Sequence, residues 1–154
     1  MKLYIARHGE AVDASENPDR PLSAHGKTQI ERMASFLARA GVRPQSIFHS
    51  GKARAAQTAM IYSRAIAGGA LVQERPGLKP MDNPQMIADI FTDADVDMLI
   101  AGHLPHLGRL TSLLLTGDAD QPLVDMRTGS MVCLSRDDHQ GWSMAWMLDP
   151  ALLG

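Results

Sequence analysis

The chain has 154 residues, and a chain of this length typically folds as one domain, so we expect a single domain spanning residues 1–154. Apolar residues make up 45% and charged residues 21% of the composition, which is ordinary for a globular protein and excludes a disordered or collagenous chain. The formal net charge is −2, so no global positive field favours nucleic acid as a partner.

The single cysteine and the short apolar stretches bear on the compartment. Cys133 cannot form an internal disulfide, which favours a reducing cytoplasm. The apolar stretches fall well short of the roughly 20 residues that a membrane-spanning helix needs, so we expect no membrane association. The run from Met1 to Ala6 is too short for the core of a signal peptide, and we interpret it as a first buried strand.

The first half of the chain predicts strands and helices in alternation. An apolar strand at 3–6 is followed by a polar, proline-containing loop at 11–22. Ser23 is placed to cap a helix whose apolar residues recur at helical spacing up to Gly41. A second strand at 46–50 and an alanine-rich helix at 53–67 follow.

The second half continues the alternation and ends in a hairpin. A short strand is predicted at 71–73, a helix after the cap Asn83 with Pro84 as its first residue, a strand at 98–101, and a helix from about 107 to Gly117. We expect Met86, Ile87 and Ile90 to form the buried face of the helix after Pro84. Strands at 130–135 and 142–148 flank a turn at 137–141.

Strands that alternate with helices indicate a mostly parallel sheet with helices on both faces. The expected fold class is therefore α/β, a three-layer α/β/α sandwich whose sheet ends in a C-terminal antiparallel hairpin. In such a sheet, ligands bind at the carboxyl ends of the strands. Arg7 and His8 follow the first strand, Arg54 follows the second, and His103 follows the strand at 98–101. We expect these four side chains to converge at one edge.

The four residue types suit phosphoryl transfer. The guanidinium groups of Arg7 and Arg54 match phosphate oxygens, and their charges favour a neutral His8. Attack by neutral His8 on phosphorus would form a phosphohistidine that water then hydrolyses. His103 would stabilise the transferring group, and Gly9, which lacks a side chain, would let the substrate approach the imidazole closely.

The same residues resemble a known family. The segment Arg7-His8-Gly9-Glu10 resembles the signature of the histidine phosphatase (phosphoglycerate mutase-like) superfamily, and the whole chain resembles the small SixA-type phosphohistidine phosphatases. Further stretches agree in order and spacing at 20–26, 50–58, 102–105, 128–130 and 146–150. The resemblance implies that His8 is the phosphorylated nucleophile and that Arg7, Arg54 and His103 complete the phosphate pocket. It also implies that Arg20 flanks this pocket as a further substrate contact, and it implies no metal and no cofactor.

Two departures from the family pattern bear on the site. The family's arginine-bearing segment usually has proline after its serine, whereas this chain has Gly51-Lys52, which predicts a looser loop and extra positive charge from Lys52. Larger superfamily members also carry an acidic proton donor in the loop after the third strand, where this chain has Gly77.

The remaining proton-donor candidates are the carboxyl groups of Glu10, Glu74 and Asp82. A missing strong acid would slow the loss of an alkoxide, but it matters less when the leaving group is an imidazole. This gap favours a phosphohistidine substrate.

The sequence therefore predicts a metal-independent phosphatase that acts on a phosphohistidine-bearing protein, such as a histidine phosphotransfer domain of a signalling relay, through a phosphohistidine on His8. Two alternatives stay open: a phosphatase of small phosphate monoesters, and a non-catalytic phosphoprotein-binding module. We expect neither nucleic acid nor a membrane as a partner. A cytoplasmic monomer is favoured, with the oligomeric state open. Little of the chain is left to form a lid, so we also expect a shallow, open site.

Overall fold

The computed structural model describes all 154 residues and contains six strands, four α-helices and a short 3-10 helix. The strands are β1 (Lys2–Arg7), β2 (Ser46–His49), β3 (Val72–Glu74), β4 (Met98–Gly102), β5 (Met131–Arg136) and β6 (Trp142–Leu148). The helices are α1 (Ala24–Arg39), α2 (Ala53–Ile66), α3 (Gln85–Thr92) and α4 (His106–Thr116), with the 3-10 helix at Pro150–Leu153. Every predicted strand and helix is present, whereas the 3-10 helix was not predicted.

The six strands form one sheet in the order β3-β2-β4-β1-β5-β6. The first four strands in this order run parallel, and β5 pairs antiparallel with both β1 and β6, which confirms the predicted hairpin. Arg7 of β1 pairs with Gly102 of β4, and His49 of β2 pairs with Ala101 of the same strand. The strands β1, β4 and β2 therefore end at nearly the same level, with the residues that follow them side by side.

Helices cover both faces of the sheet, which confirms the three-layer α/β/α architecture. Alternate residues of β1 point to opposite faces, so Tyr4 and Ala6 belong to one core, while Leu3 and Ile5 belong to the other. The first core is completed by apolar residues of α1 and α2, and the second by those of α3 and α4. Cys133 is fully buried in the first core. None of the helices is both long and apolar enough to cross a membrane.

The buried face of α3 differs from the predicted one. Ile87, Ala88 and Phe91 are buried, whereas Met86 is 53% exposed and Ile90 is only partly buried. Consecutive residues are rotated by about 100° around a helix. The burial of Ile87 and Phe91 in the core therefore turns Met86 outwards. The start of the helix is also shifted, since Pro84 occupies the N-cap position, preceding the first helical residue.

The start of α1 lies directly against the segment that follows β1. As predicted, Ser23 caps the helix, and its Oγ accepts a hydrogen bond from the Gly26 N–H at 3.0 Å. The Ser23 N–H donates to the Glu10 carbonyl at 2.9 Å, and a Cβ on Gly26 would overlap that same carbonyl oxygen. Glycine at this position therefore allows α1 to support the chain two residues beyond His8.

Candidate active site

The residues that follow β1, β2 and β4 meet at the carboxyl edge of the sheet, as the sequence predicts. The ring centroids of His8 and His103 lie 5.0 Å apart. The charges of Arg7, Arg54 and Arg20 all lower the pKa of His8, and the Arg54 charge also lowers the pKa of His103. The structure thus brings two imidazoles and three guanidinium groups together.

Backbone hydrogen bonds fix both the position and the tautomer of His8. Its N–H donates to the Gly102 carbonyl at 3.1 Å, and its carbonyl accepts from the Gly129 N–H at 2.9 Å. The His8 Nδ1 lies 2.7 Å from the Gly9 carbonyl oxygen. Because a carbonyl oxygen can only accept, Nδ1 carries the proton and Nε2 retains its lone pair.

The environment keeps the His8 ring uncharged at neutral pH. Burial of the ring, which leaves the residue 8% exposed, is the main cause that lowers its pKa to about 4. The nearby arginine charges act in the same direction, while the hydrogen bond to Gly9 opposes them. The ring therefore combines an unprotonated Nε2 with positive charges that attract a phosphoryl group, which is what a nucleophile towards phosphorus needs.

His103 is also neutral and is more deeply buried, at 2% exposure. Burial is the main cause that lowers its pKa to about 3, and the charges of His8, Arg54, Lys52 and His106 lower it further. Its Nε2 lies 2.6 Å from the Ser50 Oγ, whereas its Nδ1 is buried without a hydrogen-bond partner. One ring nitrogen is thus held by the protein, and the other has no hydrogen-bond partner within it.

Arg7 and Arg54 each present a buried Nε that has no hydrogen-bond partner. Arg7 is oriented through its Nη1, which donates to the Met126 carbonyl at 2.6 Å, and Arg54 lies in the first turn of α2. Burial lowers the pKa of both guanidinium groups, yet arginine stays charged at neutral pH. An unpaired buried donor costs about 1–3 kcal/mol, so the binding of an oxyanion that accepts from these groups is favourable.

Thr58 links α2 to residues 8–10, the nucleophile segment that follows β1. Sequence reasoning assigned Thr58 no role. The Gly9 N–H donates to the Thr58 Oγ1 at 3.2 Å, and the Thr58 hydroxyl donates to the Arg54 carbonyl at 2.8 Å. Gln57 performs a related task, because its Oε1 accepts from the Leu22 N–H at 2.7 Å and so holds the loop at 11–22 against α2. Both residues lie within the stretch 50–58 that resembles the family, which was the one available signal.

In the structure, close packing of α1, rather than access for the substrate, explains why the residue at position 9 has no side chain. A Cβ at this position would lie 2.8 Å from Ile30 Cγ1 and 2.9 Å from the Gly26 carbonyl oxygen. Glycine is therefore needed so that α1 can pack against the end of β1.

The charge of Arg20 acts on His8, which places this residue near the pair of imidazoles. Its φ of +47° is in the left-handed region, which is uncommon for a residue with a side chain. Its Nε donates to the Val12 carbonyl at 3.2 Å, and its charge lowers the pKa of both His8 and Arg54. The loop at 11–22 thus delivers a third positive charge to the site.

The turn that replaces the family's Ser-Pro pair is fixed by hydrogen bonds rather than loosened. Gly51 has a φ of +91°, which proline cannot adopt, because its ring fixes φ near −65°. The Gly51 N–H donates to His49 Nδ1 at 3.0 Å, and the Lys52 N–H donates to the Ser50 Oγ at 3.4 Å. The charge of Lys52 acts on the site, since it lowers the pKa of His103.

None of the three proton-donor candidates is among the charged groups that act on the imidazole pair, because the charges that shift the pKa values of His8 and His103 all come from basic groups. Glu10 accepts a hydrogen bond from the Ser23 hydroxyl, and Asp82 accepts one from the Lys79 N–H. The Glu74 carboxyl group lies against Gly51, in the turn that follows β2. No three His, Cys, Asp or Glu side chains are grouped to hold a metal ion.

Both imidazoles are largely buried, and the backbone and side chains around them are held by hydrogen bonds. The segment before β5 hydrogen-bonds to the backbone of His8, and the Ser50 hydroxyl contacts His103. The shallow, open site that chain length predicts stays a prediction.

Comparisons with known proteins agree with this geometry. Residues 3–89 match the model of the histidine phosphatase superfamily, branch 1. An uncharacterized protein of Picosynechococcus sp. is 28% identical over 165 residues, which cover 96% of this chain and 99% of the relative.

Two solved structures show how far the similarity of fold extends. The protein histidine phosphatase SixA, complexed with tungstate, superposes with a TM-score of 0.88 at 25% identity, with all of both chains covered. A mycobacterial glucosyl-3-phosphoglycerate phosphatase has the same fold, with a TM-score of 0.75 at 19% identity over 94% of this chain and 97% of the other. The family model covers more than half of the chain, and the SixA structure matches it end to end. The chain therefore belongs to branch 1 of the histidine phosphatase superfamily and is SixA-like.

Proposed function

We propose that the protein is a metal-independent phosphatase that removes the phosphoryl group from a phosphohistidine-bearing protein, such as a histidine phosphotransfer domain. Membership of the superfamily supports phosphatase activity. The observation that carries the proposal is the surroundings of the His8 Nε2. This nitrogen has a free lone pair, the charges of Arg54, Arg7 and Arg20 act on its ring, and the His103 ring centroid lies 5.0 Å from that of His8.

The proposed reaction has two displacements at phosphorus. The His8 Nε2 lone pair attacks, a bond between Nε2 and phosphorus forms, and the bond to the leaving group breaks. The Nδ1 proton stays on the ring, where its hydrogen bond to the Gly9 carbonyl stabilises the positive charge of the phosphorylated imidazole. Water then attacks phosphorus, phosphate leaves, and Nε2 regains its lone pair. The guanidinium groups of Arg7 and Arg54 stabilise the charge on the phosphoryl oxygens in both steps, a role that does not call for a metal ion.

The substrate class follows from the leaving group. An alkoxide departs slowly unless an acid protonates it, and no carboxyl group is among the charges that act on His8 or His103. An imidazole leaves readily once its nitrogen binds a proton from solvent. The shallow, open site expected from the short chain also suits a side chain that another protein presents.

A small phosphate monoester is the second candidate substrate. The structural relative named for glucosyl-3-phosphoglycerate shows that the same fold serves a phosphatase of a small molecule.

The third candidate function is that of a non-catalytic module that binds a phosphoprotein. Such a module would need the phosphate-binding donors but would not need a free Nε2 on His8.

A phosphate-release assay distinguishes these three candidate functions. Wild type, His8→Ala and His25→Ala are each incubated with a phosphorylated phosphotransfer domain and, separately, with p-nitrophenyl phosphate and a phosphosugar. We expect release from the phosphohistidine protein with wild type and with His25→Ala, whose substituted histidine is exposed and outside the site. His8→Ala should lose about 10³-fold or more in rate.

Other outcomes of this assay would support one of the alternative functions or exclude His8 as the nucleophile. Hydrolysis of the small esters alone would support a monoester phosphatase. Binding of the phosphoprotein without release, in both wild type and His8→Ala, would support the binding module. Release that is unchanged by His8→Ala would exclude His8 as the nucleophile.

A further inference from the structure

Ser50 is a buried residue of the site to which the proposed function assigns no role. It follows β2 and is 1% exposed, and its Oγ lies 2.6 Å from the His103 Nε2. We propose that Ser50 is a positioning residue that holds His103 in the tautomer with the proton on Nδ1, so that Nδ1 donates a hydrogen bond to the substrate's phosphoryl group. This inference rests on the proposed function, because it assigns a task to His103 within that reaction.

Counting protons at the Ser50 hydroxyl favours this tautomer. The Lys52 N–H donates to the Ser50 Oγ at 3.4 Å and uses one lone pair of that oxygen. The Ser50 hydroxyl still has one proton to donate, and of its two hydrogen-bond contacts only the His103 Nε2 can accept it. With Nε2 accepting, a neutral His103 ring must carry its one proton on Nδ1.

The opposite tautomer leaves more groups unsatisfied. If Nε2 donated to the Ser50 Oγ, the hydroxyl proton of this buried serine would have no acceptor, at a cost of about 1–3 kcal/mol. The His103 Nδ1 would then be a bare lone pair, buried without a partner. A bare lone pair repels phosphoryl oxygens, whereas an N–H group stabilises them. Ser50 therefore determines whether the free nitrogen of His103 assists or opposes binding of the substrate.

The tautomer can be measured directly without any turnover. Long-range ¹H–¹⁵N correlation spectra of histidine-labelled protein at neutral pH distinguish protonated from unprotonated ring nitrogens, with His103→Gln used to assign the His103 signals. We expect wild type to show His103 protonated at Nδ1 and unprotonated at Nε2, and His8 to show the same pattern through its bond to Gly9. Ser50→Ala should shift His103 towards protonation at Nε2.

Affinity and rate provide the second readout. Ser50→Ala should weaken the binding of inorganic phosphate and lower kcat/KM by about 10- to 100-fold. This loss is smaller than the roughly 10³-fold loss that the removal of an entire oxyanion donor can cause. Ser50→Thr, which keeps the hydroxyl, should restore most of both values. Ser63→Ala is the matched control, because it removes the hydroxyl of another buried serine, which lies in α2 and donates to the Ala70 carbonyl beyond the end of that helix. Thermal unfolding checks that each variant is folded.

Two results would overturn the proposal. One is a wild-type His103 that carries its proton on Nε2. The other is a folded Ser50→Ala protein whose His103 tautomer and phosphate affinity are unchanged. The tautomer and the phosphate affinity are measured on the resting protein without turnover, so these two readouts stay informative even if the phosphohistidine substrate proves wrong.

Discussion

At the scale of single residues, the chemistry of the site depends on charge and proton placement in two neighbouring imidazoles. His8 is uncharged because burial and three arginine charges outweigh the hydrogen bond to Gly9. The same arginine charges that attract phosphate therefore also keep the nucleophile unprotonated. This coupling between binding and nucleophilicity leads to a prediction about titration.

We expect His8 to titrate with a pKa near 4 rather than near the ordinary histidine value of about 6.5. Since the neutral ring is the active form, protonation of His8 should not reduce activity as the pH falls from about 7 to about 5.5. Arg54→Gln removes one positive charge and should raise the pKa of His8 towards its ordinary value. Titration of the His8 ring nitrogens by ¹⁵N NMR measures both effects. A wild-type His8 that titrates near 6.5, or one whose pKa is unmoved by Arg54→Gln, would contradict this explanation.

Sequence reasoning could predict that Arg7, His8, Arg54 and His103 converge, because each lies at or shortly after the end of a strand that apolar runs make recognisable. It could not assign the tautomers of the two histidines. Those depend on the Gly9 carbonyl and the Ser50 hydroxyl, and the second of these partners lies 53 residues away from His103 along the chain. Proton placement is thus a property of the folded arrangement.

At the scale of elements, the position of the nucleophile segment depends on how closely α1 approaches the end of β1. Gly9 and Gly26 both lie in this contact, and a side chain on either would overlap atoms of the other element. The helix is further attached through Ser23, whose N–H donates to the Glu10 carbonyl. Helix α1 therefore acts as a support for the chain just beyond His8.

Gly26→Ala should disturb this support. The added Cβ would meet the Glu10 backbone, which cannot move as easily as a side chain, so we expect a loss of about 1–3 kcal/mol in the free energy of unfolding and a lower kcat/KM. Gly108→Ala in α4 is the matched control, because its Cβ would lie 3.7 Å from the Leu104 side chain, an ordinary contact. That variant should gain about 0.5–1 kcal/mol. Urea denaturation measures both variants. Equal stability of Gly26→Ala and wild type would show that the contact is not tight.

Helix periodicity predicted the buried face of α1 correctly but only part of the buried face of α3. The difference has a physical reason. In α1, polar and charged residues surround a single apolar stripe, so its buried face is unambiguous. In the eight-residue α3, Met86 and Ile90 form one apolar pair at helical spacing, and Ile87 and Phe91 form another. Packing against the second core selects the pair Ile87 and Phe91. Sequence spacing alone does not contain that choice.

At the scale of the whole molecule, the net charge of −2 conceals a strongly uneven distribution. Arg7, Arg20, Lys52 and Arg54 all lower the pKa of at least one buried imidazole at a single edge of the sheet. The fold class was predictable because strands and helices alternate throughout the chain. The alignment of β1, β4 and β2, which brings the site together, arises from pairing between distant segments.

The central claim is that His8 carries the phosphoryl group during the reaction. The most direct measurement mixes wild-type protein with a ³²P-labelled phosphohistidine protein, quenches the mixture rapidly in alkali, and maps the labelled peptide by mass spectrometry. We predict an acid-labile, alkali-stable phosphoryl group on His8 that is absent from His8→Ala. A phosphoryl group on another residue, or turnover by His8→Ala at the wild-type rate, would contradict the account.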